Sequence, residues 1–88
     1  MIDYSMLPSH CQEGMKRYIE HGIAPGSFLE AVITNNLVEA FARADFTNRQ
    51  NIERYVAFLW NECPIGAWGS EKVYQEWVKK GGLCGQEE

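Results

Sequence analysis

The stretch TNRQNIERYVAFLWNECPIGAW, residues 47–68, decides the fold class. At about 100° per residue, Ile52, Tyr55, Val56, Leu59, Trp60 and Cys63 fall in one arc of roughly 120°, wide enough to be the core face of a globular helix. Its T-x-x-Q start has the form of a capping box: the Thr47 hydroxyl accepts from the Gln50 backbone N–H while the Gln50 side chain reaches back. Pro64 disfavours a helical residue before it, so this central helix is expected to end at about Cys63. Phe58 does not fit the stripe and lies on the opposite face among Asn51, Arg54, Asn61 and Glu62.

Helical spacing continues on both sides. Pro8 suits a first helical position because its missing N–H costs nothing there, and Leu7, Cys11, Met15, Tyr18 and Ile19 share one face up to a stop at Gly22. Gly14, in the middle of that helix, marks a place for close backbone approach. Ile23 to Gly26 reads as a turn, and Ser27 to Glu30 as a second capping box opening a helix that buries Phe28, Leu29, Val32 and Ile33. Asn35-Asn36 allows two readings. Asn36 can cap a new helix with Glu39 at its third position, burying Leu37, Phe41 and Ala44, or one helix can run through residues 28–44; the preference of asparagine for helix ends favours the break.

Beyond the central helix, residues 63–69 form a loop whose Trp68 is expected to fold back as a lid on the core. Ser70 caps a last helix with Val73, Tyr74, Trp77 and Val78 on its apolar face, Lys79 and Lys80 at the negative end of its dipole, and Gly81-Gly82 as its stop. The expected fold is therefore all-α, a compact single domain of four or five short helices around a central helix. Residues 1–6 form a lead-in, 7–80 the helical domain and 81–88 a flexible tail.

Bulk composition narrows the function classes. At 45% hydrophobic and 12% aromatic, the 88 residues are too apolar for a disordered chain. A net charge of −4 argues against broad electrostatic attraction to nucleic acid or an anionic membrane. The three cysteines, Cys11, Cys63 and Cys84, stand far apart with no C-x-x-C pair, which is neither a disulfide framework nor a zinc signature and suits a reducing cytoplasm. MIDYSMLPSHC lacks a basic segment followed by an apolar one, so export is not expected, and no run approaches the ~18 apolar residues of a membrane span.

Sites of chemistry are sparse. His10 and His21 are ~16 Å apart along one helix, too far to share a metal ion, and no metal or cofactor is expected. No nucleophile elbow and no glycine-rich phosphate loop is present, so an enzyme is not expected. A nucleic-acid reading places Asn48, Arg49, Asn51 and Arg54 on a base-reading helix, against which Glu53, Glu62 and the net charge weigh. A protein-interaction module has two candidate patches: His10, Gly14, Arg17 and His21 as a stripe on the first helix, and Phe58 ringed by Asn51, Arg54, Asn61 and Glu62 on the central one, where Phe58 is either a surface anchor or a core residue of a helix buried on both sides. Aromatic and arginine side chains are the types that dominate interface energetics.

Three segments together carry a family resemblance: LPSHCQEGMKRYIEHGIAPGSFLEAVITNNLVEAFARAD, the central helix ending in FLWNECP, and WGSEKVYQEW. The chain from Leu7 to Trp77 resembles a group of small accessory proteins encoded by phages and prophages of enteric bacteria. That resemblance implies action in the cytoplasm of the bacterial host by stoichiometric binding of a host or phage protein. Inhibition of a host antiviral defence system, in the anti-CRISPR manner, is the activity it points to. The alternative is a small helical DNA-binding transcriptional regulator. A homodimer stays open.

Overall fold

The computed structural model describes residues 2–85. Among these the chain forms six α-helices and no strand: α1 (Ser9–His21), α2 (Ser27–Ile33), α3 (Leu37–Arg43), α4 (Phe46–Gln50), α5 (Ile52–Asn61) and α6 (Glu71–Lys80), with a 3-10 turn at Ile65–Ala67. The all-α reading holds, with one helix more than expected because residues 46–61 divide in two.

That division comes from the side chains around Asn51. Asp45, and not Thr47, is the cap of α4: its carboxylate accepts from the Asn48 backbone N–H at 2.8 Å. Aspartate in extended backbone caps at least as well as threonine, and starting two residues earlier adds most of a turn. Asn51 then donates its amide to the Thr47 carbonyl at 2.8 Å and leaves helical geometry, with φ −117° and ψ 17°. Its own carbonyl restarts the ladder by accepting from Arg54 N–H at 2.9 Å. This is the competition with backbone bonding that makes asparagine a helix-end residue.

The break after α2 is also real. Asn35 takes a left-handed φ of 64°, and the Asn36 side chain accepts from the Glu39 N–H at 3.3 Å to start α3. The box expected at Ser27 does not form; Gly26 occupies the cap position and no side chain bonds there. On α3, which packs against α2, Ala40 is the buried residue and Ala44 just beyond its end is buried too, while Leu37 and Phe41, both expected in the core, are exposed.

The core is built from α1 (Cys11, Met15, Tyr18, Ile19), α2 (Phe28, Leu29, Val32, Ile33), α5 (Tyr55, Phe58, Leu59) and α6 (Tyr74, Trp77). Most polar atoms carried into it are paired, the exceptions among the described residues being the Tyr4 hydroxyl and Trp68 Nε1 at its edge. The Tyr18 hydroxyl donates to the Ala67 carbonyl at 2.7 Å, and Trp77 Nε1 donates to the carbonyls of Tyr18 and Ile19 at 3.1 and 3.2 Å. Trp68 does fold back, half-buried, and the Gly69 N–H ties its loop to the Ile33 carbonyl at 2.9 Å. Leu83 and Cys84, placed in the flexible tail by sequence, donate backbone N–H groups to Ile19 and Glu20 at 2.9 and 2.8 Å. Residues 86–88 of that tail, and Met1 of the lead-in, lie outside the described residues. The rest of the lead-in is docked, with the Tyr4 ring 5.6 Å from that of Phe58.

Candidate functional site

Helix α5 buries a different face from the one its stripe suggested. Phe58 is 0% exposed, whereas Trp60 is 77% and Val56 55% exposed. With Tyr55, Leu59 and Cys63 buried as expected, the inward face is turned by roughly 50° from the predicted arc, half of one residue step. The cause is tertiary. Tyr4, from the docked lead-in, covers the Phe58 side, so this residue is a core aromatic and its reading as a surface anchor is overturned.

The side of α5 left open becomes one wall of an apolar groove. Its floor is formed by Ala31 and Val32 of α2, Ala40 of α3, and Tyr55 and Leu59 of α5; its rim by Leu37, Val56 and Trp60, with Trp68 beside them. Among the described residues no charged side chain lines it. The groove holds about 110 Å³, approaching the ~150 Å³ at which a dry apolar cavity takes up benzene. Val38 and Phe41 extend the exposed apolar surface along α3, and the Arg49 guanidinium lies over the Phe41 ring at 4.7 Å. Exposed large apolar residues grouped in this way mark binding surfaces more often than singly scattered ones do.

None of the seven side chains singled out from the sequence lines this groove. On α1, His10 stands 3.7 Å from the Asp45 carboxylate, Arg17 stands 3.7 Å from Glu13, and His21 is exposed in the last turn. On α5, Arg54 is exposed, Asn61 donates back to the Ala57 carbonyl at 3.0 Å, and Asn51 is spent on the helix break. Gly14 of the α1 stripe faces inward far enough that a Cβ there would meet Leu29 at 3.4 Å, an ordinary contact distance.

The base-reading helix loses a member as well. Asn48 is buried, and its side-chain oxygen accepts from the Tyr55 hydroxyl at 2.6 Å and from the Cys11 thiol at 3.7 Å. Cys63 does not offer an activated nucleophile: burial pushes its thiol up from 9.0 to about 12, so it stays protonated near neutral pH. Burial likewise raises Tyr4 to about 12, and raises Tyr18, Tyr55 and Tyr74. Among the described residues no three His, Cys, Asp or Glu side chains converge as metal ligands, and no helix is long and apolar enough to cross a membrane.

The groove was missed because Val56 and Trp60 have the spacing of core residues. One signal was present: with Phe58 added, the apolar positions of α5 cover more of its circumference than a single buried stripe needs, so the helix is either buried on two sides or leaves part of its apolar surface open. No protein family model matches the chain, and neither a curated protein nor a solved structure is detectably similar to it.

Proposed function

We propose that this chain acts by stoichiometric binding to another protein, and that the groove between α3 and α5 is where the partner docks. One observation carries the reading: Leu37, Val56 and Trp60 stand exposed around a concave floor that no charged residue lines among the described residues. Tryptophan at the edge of an apolar pocket is the residue type most often found to dominate an interface. Together with the resemblance to phage and prophage accessory products, this favours a partner in the bacterial cytoplasm, with a component of an antiviral defence system as the first class to test.

The test is capture from bacterial lysate by the wild-type chain beside Trp60→Ser and Val56→Asp, each first checked for an unchanged melting curve. A partner held by wild type and lost by both variants is the expected result. A partner retained by both places the interface elsewhere. The regulator reading is checked separately by duplex binding at ~150 mM salt, where contact through phosphates weakens steeply as salt rises.

A further inference from the structure

Beside the apolar groove lies a second concavity of about 370 Å³, and the two share Ala31 and Asn36 in their walls. Its character is opposite. Glu30, Glu39 and Glu71 line it with a single base, Arg43, which is held by Glu39 at 2.7 Å. Glu71 accepts from the Gln75 amide at 2.7 Å, but among the described residues neither Glu30 nor Glu71 has a cation within ion-pair distance. An apolar trough thus adjoins, across Ala31 and Asn36, a concave surface carrying two carboxylates that lack counter-charges among the described residues.

Resting on the reading of the groove as a docking surface, we infer that its occupant is an amphipathic helix of another protein. This helix sets an apolar side chain between Leu37 and Trp60, and a lysine or arginine about one turn away against Glu30 and Glu71. An apolar face laid in a groove is the ordinary mode of helix recognition, and side chains three or four residues apart lie on one face with ~5–6 Å between their Cβ atoms. Charge selects the sign. The acidic pocket repels an acidic neighbour and is complementary to a basic one, which favours a basic partner over a second copy of this chain, whose net charge is −4.

The experiment is selection of a displayed library of helical peptides on the full chain, followed by affinity measurement of the enriched peptides. The variants Trp60→Ser and Glu30→Gln/Glu71→Gln are measured alongside, each shown folded by its melting curve. The expected peptides carry an apolar anchor with Lys or Arg one turn away, fail to bind Trp60→Ser, and bind the double glutamine variant about fivefold more weakly, as for a partly exposed ion pair. Peptides that need Trp60 but show no basic preference overturn the charge inference and leave the docking reading standing. A library from which nothing dependent on Trp60 emerges overturns both. A concentration-dependent dimer in sedimentation, abolished by Trp60→Ser, overturns the inference in favour of a second copy.

Discussion

Gly82 lies so close to Gly22 that a Cβ on Gly82 would come within 2.6 Å of the Gly22 nitrogen. Helices α1 and α6 both stop in left-handed glycines, Gly22 at φ 68° and Gly81 at φ 89°, and their ends cross with backbone directly on backbone. The contact lets Leu83 and Cys84 reach the last carbonyls of α1.

Gly82→Ala therefore meets two penalties, a left-handed φ of 71° and a clash that no side-chain rotation relieves. The left-handed region alone costs a non-glycine residue roughly 1–2 kcal/mol, and overpacking roughly 1–3 kcal/mol more. We expect the unfolding free energy from urea titration to fall by about 2 kcal/mol or more. Gly26→Ala, where nothing lies within 4 Å of the added carbon and φ is −66°, should stay within about 0.5 kcal/mol of wild type.

Phe58 and Trp60 should separate in a pair of melting curves. Phe58→Ala empties a fully buried site beside Tyr4 and is expected to cost ~3–5 kcal/mol, a large share of the ~5–15 kcal/mol typical of a domain's whole stability. Trp60→Ser removes a ring already in water and should shift stability by no more than ~0.5 kcal/mol. The reverse order would return the inward face of α5 to its predicted arc.

The Tyr55–Asn48 hydrogen bond joins α5 to α4 inside the core. In Tyr55→Phe the Asn48 oxygen keeps only the Cys11 thiol at 3.7 Å, and a buried polar group stripped of its main partner costs ~1–3 kcal/mol. Adding Asn48→Ala to Tyr55→Phe should cost less than the two single changes summed, because the second change removes the group the first had orphaned. A strictly additive cycle would show the pair uncoupled.

Alkaline pH should unfold the protein early. Cys63 and the buried tyrosines have native pKa values above their ordinary ones, so the folded chain keeps protons that the unfolded chain releases. Stability from this source is present in full below about pH 9 and is lost as pH rises from there through about 12. Urea midpoints at successive pH values should fall across this range. In Cys63→Ala the decline should begin about one unit higher, where tyrosines of ordinary value 10.0 start to titrate.

Much of the architecture was legible along the chain because it depends on near neighbours. Gly22, Asn36, Ser70 and Gly81 act where their local chemistry puts them; Ser70, for instance, accepts from the Val73 N–H at 3.2 Å. A cap or a left-handed stop is satisfied within a few residues, so the residue type announces it. The starts expected at Thr47 and Ser27 are displaced by two residues and by one, because Asp45 and Gly26 take the cap positions.

The amino-acid order by itself determined that the chain is helical, where most helices stop, and that α5 has an apolar arc wider than one stripe. Only the tertiary structure decided which part of that arc is core. Periodicity records which residues share a side of a helix and is silent on what else comes to cover that side. Tyr4, 54 residues before Phe58 in the chain, closes over it, while among the described residues Val56 and Trp60 are left exposed. The groove exists for the same reason: α3 packs on α2, its small inward residue Ala40 forms part of the floor, and Leu37 and Trp60 stand exposed at the rim.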